Sequence, residues 1–296
     1  IPVHVGMDEL DKLPGKYVLE VNVKNESDVL QFVTTEHFKI RSKSDETDYL
    51  SREDVQKIFP PFQSEYYIDF ARLRPKISDS VPGEELYLTS EFSISSAKES
   101  SMFNSVSKCS YGNTPDLDKI NKLWDEVEGK LNKENVSKDD ISLKKKNFYL
   151  LDAQRYYKEN SFDFTIKTVG VYENQLIVKK ASEILVTKFR LFTESINNKL
   201  VTILPSETSM DYCYDIYLEG EDYTMGKVLE YFLYSLFYEK SKTLSFCGFR
   251  KNHPHDVHSI IRVAFNDIAD KLMVEQLLKT ACEESQKMFE KIYTIV

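Results

Sequence analysis

From Thr224 onward the apolar residues Met225, Val228, Leu229, Phe232, Leu236 and Phe237 recur at i, i+3, i+4 and i+7. Tyr231, Leu233, Tyr234 and Tyr238 widen that stripe until little polar surface is left. A surface helix needs cover on one side; a helix apolar on nearly every side needs it on several. The pattern predicts a helix set in an interface, and no other stretch limits the fold as much. Thr224 is placed to cap this helix, and Gly226 to let a backbone approach closely. Beyond it come Leu244-Ser245-Phe246-Cys247-Gly248-Phe249, the turn His253-Pro254-His255-Asp256, and a strand at 260–263.

Two further helices share the same need for cover. Residues 267–294 place Ile268, Leu272, Val274, Leu277, Leu278, Ala281, Met288, Phe289 and Ile292 at helical spacing, with Asp267 as the expected cap. A helix of that length with one apolar stripe and no hairpin partner must dock on another helix. The natural candidate is 175–196, whose face is Leu176, Ile177, Ala181, Ile184, Leu185, Phe189 and Ile196. The two halves of the chain are therefore expected to pair.

The remaining sequence reads mainly as strands. Period-2 alternation predicts them at 16–23, 66–73, 86–92, 162–169 and 212–218, with 30–35 as a neighbour of the first. Residues 41–54 read as a loop or weak helix. The stretch 74–85 is a turn signal, and 197–209 a linker. Residues 116–160 carry a short helix at 120–131 and then a charged linker, expected to be mobile or to dock a partner. Residues 92–104 are rich in small side chains, as suits a loop lying close against something else. A chain of 296 residues can bury a sizeable core and has room for about two domains.

The chemistry the sequence offers is sparse. Net charge is −9, against the basic face a dedicated nucleic-acid binder carries, and Lys144-Lys145-Lys146 reads as a solvated run. Cys109, Cys213, Cys247 and Cys282 are scattered without a Cys-x-x-Cys pair, which fits a reducing compartment and gives no zinc or redox motif. His253, His255 and His258 form His-x-His-x-x-His, but a proline turn divides them, so no metal is expected. There is no Gly-x-Ser-x-Gly and no phosphate-cradling glycine loop. Glu84-Glu85 and Glu283-Glu284 are adjacent, which points their carboxylates apart. The 18 Tyr and 18 Phe lie within helical and strand periods rather than among Lys and Arg, so packing outweighs base stacking. No apolar run nears the ~20 residues of a membrane-spanning helix, and no membrane partner is expected. No catalytic residues and no cofactor are expected.

The order helix, short strand, proline turn, short strand, long helix in the last third resembles the eleventh subunit of eukaryotic RNA polymerase II and the archaeal L subunit. Their pattern is acidic-Asp-His-Thr-Leu-Gly, amphipathic helix, Phe-x-Gly-Tyr, His-Pro and an Ile-rich strand. Here Tyr223, Met225 and Lys227 stand where that family has His, Leu and Asn. Upstream, Leu73-Arg74-Pro75, Pro82-Gly83-Glu84-Glu85-Leu86 and the loop 95–103 resemble the third subunit and the archaeal D subunit. The strand–Gly170–helix at 162–196 is similar to the end of that same family. Its His and Trp in the loop, and its four-Cys zinc loop, have no counterpart here. Ile1-Pro2-Val3 matches the tail of the family's Leu-Gly-Leu-Ile-Pro-Leu strand, which implies a helix-bearing segment upstream.

Taken together, the two resemblances imply an α+β fold with two bacterial-α-like dimerisation modules in one chain, each an antiparallel sheet with long helices. The first module would comprise 1–5 and 161–197, with a mostly β insert at 6–160; the second would be 198–296. The fused arrangement is that of large nucleocytoplasmic DNA viruses, placing the protein in the virion and the host-cytoplasm viral factory, or otherwise in the nucleus. The implied role is a non-catalytic assembly platform for a DNA-directed RNA polymerase. Its third-like half would contact the second-largest subunit and its eleventh-like half the largest, beside small subunits, with DNA met only through the complex. The alternative is a free-standing single-stranded nucleic-acid-binding protein. The contact residues expected within or beyond the pair are Ala97, Lys98, Glu99, Ser100, Met102 and Phe103 in the loop. On the helices they are Thr224, Met225, Gly226, Val228, Leu229, Phe232, Leu277 and Ala281.

Overall fold

The computed structural model describes residues 1–62, 66–78, 80–207 and 210–296. Residue 79 of the expected turn and residues 208 and 209 of the expected linker lie outside the described residues. The chain mixes helices with antiparallel sheets and divides into two compact units, Ile1–Glu173 and Asn174–Val296.

In the first unit, β1 (Tyr17–Lys24), β2 (Gln31–Thr34), β3 (Lys39–Ser42), helix α1 (Arg52–Ile58), β4 (Asp69–Leu73) and β5 (Glu85–Glu91) follow in order. A three-stranded antiparallel sheet forms in the order β3-β1-β5, with Leu19 opposite both Ile40 and Ser90. Strand β2 pairs with β4. Val21 and Val23 point inward while Asn22 and Lys24 stay exposed, the period-2 alternation of a half-buried strand. Together with Val33, Phe38, Ile40, Val55, Phe59 and Leu73 they make a small core, in which Phe38 and Phe59 meet edge to face at 5.1 Å. The weak helix expected near 41–54 is split in two. Residues 39–42 are strand, and the helix starts only where Ser51 accepts a hydrogen bond from the Asp54 amide.

Next come β6 (Val106–Pro115), α2 (Leu117–Lys133), α3 (Lys138–Leu150) and β7 (Tyr157–Thr168). Strands β6 and β7 form a two-stranded ribbon, with Tyr111 opposite Phe164. Between them α2 and α3 make a helical hairpin, so the segment expected to be mostly β with a charged linker is helical over much of that linker. Two local signals set it up. Ser137 accepts from the Asp140 amide to start α3, and Asn135 adopts a left-handed φ of 57° in the turn between the helices. No residue of α3 is buried, which is why its apolar residues give no clear stripe.

The second unit runs α4 (Asn174–Asn197), β8 (Ile203–Pro205), β9 (Cys213–Glu219), α5 (Tyr223–Leu233), β10 (Leu244–Arg250), β11 (His258–Phe265) and α6 (Lys271–Ile295). Its sheet is antiparallel in the order β10-β11-β9-β8. The linker expected at 197–209 thus contributes an edge strand, and Pro205 is tolerated there because an edge position needs no ladder amide. Helix α4, which the resemblance assigns to the first module, packs inside this second unit.

Candidate interaction surfaces

The three helices that the sequence marks as needing cover share one core. Helix α4 buries Ser182, Phe189 and Ile196, spaced by seven, and α6 buries Val274, Leu278, Ala281, Cys282 and Ser285. Phe189 stacks on Phe289 with ring centres 6.0 Å apart, and Thr193 lies beside Cys282. Advancing along α4 thus means retreating along α6: the pair is antiparallel. Met225, Leu229 and Leu233 of α5 join the same cluster, beside Ile216 and Leu218 of β9 and Ile261 and Val263 of β11. These side chains are fully or almost fully removed from water. At ~1.5–3 kcal/mol for each large side chain, they are the main source of this unit's stability.

The candidate residues on these helices divide by burial. Met225, Gly226, Leu229 and Ala281 are buried inside the unit, while Val228, Phe232 and Leu277 pack half-buried on its rim. Only Thr224 of that group faces solvent. The cap is Asp222, whose carboxylate accepts from the Thr224 amide, so Thr224 lies one residue inside the helix. Likewise α6 begins at Asp270, which accepts from the Met273 amide, and not at Asp267. Gly226 does sit at a close approach, but to an aromatic ring: a Cβ there would lie 1.9 Å from Phe249.

On the outward side of α5 are tyrosines. Tyr231 is 62% exposed, and Tyr234 and Tyr238 stack at 4.8 Å where the helix widens into a π-type segment over Tyr234–Lys240. The apolar width seen in the sequence therefore comes partly from rings that tolerate water at one end. Glu230 has two tasks that the sequence does not signal. One carboxylate oxygen accepts from Lys227 (2.6 Å), and the other from the backbone amide of Phe249 in β10 (2.9 Å).

In the first unit, Ala97, Lys98 and Glu99 form an exposed turn closed by the Glu99 and Ser100 amides donating to the Ser96 carbonyl. The Ser95 hydroxyl donates to the Glu99 carboxylate. Met102 is 79% exposed at the end of this loop, whereas Ser100 and Phe103 are partly buried. The loop and the ribbon thus present apolar side chains to solvent, Tyr111 at 72% and Phe164 at 70% among them.

Several groups capable of chemistry are held in structural contacts, whereas the Cys109 thiol is exposed. Burial pushes the Cys282 thiol up to about 12, and burial with the Glu230 carboxylate does the same for Cys247. His253 Nδ1 accepts from the His255 amide within the proline turn, while His258 lies against Tyr217 on the sheet. Among the described residues no three His, Cys, Asp or Glu side chains are grouped to hold a metal ion. A cleft of about 660 Å3 in the first unit is floored by Phe38 and Phe59, and its Gln56 amide donates to Tyr67 while Arg52 pairs with Glu36. Across β9 and β11, Arg262 donates Nε and Nη2 to the two Asp215 carboxylate oxygens at 2.6 and 2.7 Å. That guanidinium holds the Asp215 carboxyl below the usual carboxylate range. No described helix is long and apolar enough to cross a membrane.

No protein-family model matches this sequence, and no curated protein does.

Proposed function

We propose that this chain is a non-catalytic platform subunit of a multisubunit DNA-directed RNA polymerase, in which two α-like halves fused in one polypeptide pair intramolecularly. The observation that carries this reading is the antiparallel α4–α6 pair with Phe189 stacked on Phe289. A helix encoded before the linker shares its core with helices and strands encoded after it. Tethering the halves raises their effective concentration to roughly millimolar, so pairing needs no second chain. The strand–turn–strand–helix order of β10, β11 and α6 supports the eleventh-like assignment of the second unit.

On this reading the largest subunit docks near Thr224 and the outward face of α5, and the second-largest on the loop around Met102. The complex would act in the transcription of a large nucleocytoplasmic DNA virus. The test is native isolation of the tagged chain from its source, followed by mass spectrometry. Stoichiometric recovery of two very large chains is expected. Their absence, with salt-sensitive binding of single-stranded DNA or RNA by the purified chain, would replace the platform by a nucleic-acid-binding protein.

A further inference from the structure

Helix α4 carries a second apolar line, away from α6. Ile184 and Leu191 are 49% and 52% exposed. With Ile177 they stand at seven-residue intervals, and Ala181, Lys188 and Ser195 fill the positions between at alternating steps of four and three. That is the spacing of a coiled-coil seam, with large apolar residues in one of its two columns. The helix's buried residues, Ser182, Phe189 and Ile196, are displaced from this line by roughly 140° at 3.6 residues per turn. Lys188, the one charge within the seam, is already matched on its own molecule by both oxygens of Glu221, at 2.8 and 2.9 Å.

One flank of the seam bears Lys180, Thr187 and Glu194 at seven-residue intervals. Read forwards the signs are plus, neutral, minus. Read backwards each sign is inverted about Thr187. An antiparallel copy of the same helix would set Lys180 against Glu194 on both sides of a two-fold axis. Isologous interfaces demand such self-complementarity, because the same patch must serve both partners. Lys180 also pairs with Glu183 along its own helix at 3.0 Å, which leaves both groups at the rim where a second molecule can reach them.

We infer that this face of α4 binds a second copy of the chain, antiparallel, about an axis near Thr187. The inference rests on α4 alone and is independent of the polymerase reading. One helix from each partner gives an interface below standard size, so a weak dimer, roughly micromolar, follows.

Sedimentation velocity of the full chain over a concentration series tests it. A monomer–dimer equilibrium is expected, weakened about tenfold or more by Ile184→Glu, which sets an unpaired carboxylate in the seam. Because Ile184 is exposed, the circular dichroism of that variant should match the parent. Lys180→Glu and Glu194→Lys should each weaken association, and the double variant should recover it. A chain that stays monomeric throughout, a dimer indifferent to Ile184→Glu, or a double variant no better than either single one would overturn the inference.

Discussion

Among the described residues, the second unit gathers seventeen buried apolar side chains into one cluster, whereas the main cluster of the larger first unit holds eight. Element length explains much of the contrast. Helices of 24 and 25 residues lie together and close over a four-stranded sheet, so each long apolar stripe finds cover within the unit. The first unit relies on strands of four or five residues in β2, β3 and β4 and on a two-stranded ribbon. Two strands bury little between them and are marginal alone. What the ribbon and the loop cannot cover, they display. One region is thus organised by its interior and the other by its surface.

The contrast is most directly broken at paired aromatic positions. Phe189→Ala should cost about 3–5 kcal/mol in denaturant unfolding, because it empties a closed cluster and removes the Phe289 stack. Phe164→Ala, on the exposed ribbon, should change stability by less than about 0.5 kcal/mol. Equal costs would mean that the ribbon is as well packed as the helix pair.

Gly226→Ala tests how tightly the second unit is closed. Alanine favours a helix by about 1 kcal/mol over glycine, yet its Cβ would collide with the Phe249 ring. Displacing that ring should leave a net loss of about 1–3 kcal/mol. A gain in stability would show that the ring yields freely.

A comparable effect, about 1–3 kcal/mol, is expected for Asp215→Asn, which leaves Arg262 without its carboxylate in a mostly covered position. The pH dependence has a definite sign. The folded-state pKa of Asp215 is depressed, so its contribution is present above the unfolded-state value near ~3.9 and is lost as pH falls through the folded-state value. Acid titration of the parent and of Asp215→Asn should therefore converge at low pH.

The smallest stability effect belongs to the loop. Met102→Ala should shift stability by less than about 0.5 kcal/mol; on the proposed polymerase reading, recovery of the second-largest subunit with the chain should fall markedly. Unchanged recovery would remove the loop from the docking surface.

Much of this was legible in the sequence where elements are long and one-sided. Helix α4 is expected over 175–196 and occupies Asn174–Asn197, although of its expected face Phe189 and Ile196 are buried, Leu185 packs half-buried, and Leu176, Ala181 and Ile184 are exposed. Caps were less legible. Thr224 and Asp267 have the right chemistry, but Asp222 and Asp270 lie where the chain actually turns, and only backbone geometry separates such neighbours. Helix α3 was missed because no stripe marks a helix buried on no side, although Ser137 with Asp140 three residues on was a usable start signal. The candidate contact residues on α5 and α6 were recognised as apolar positions, yet periodicity could not say that Met225, Leu229 and Ala281 serve the interior while Tyr231 faces out.

The bond from the Phe249 amide to Glu230 has a consequence for how this protein survives at high concentration. Strand β10 ends its sheet, and a bare border of amides and carbonyls invites foreign strands to stack on, the first step toward fibrils. With a carboxylate already seated on that amide, an incoming strand must first evict a charged group and then tolerate it nearby. A side chain from the helix next door so occupies one amide of the sheet's open border, a place where an added strand would otherwise bond.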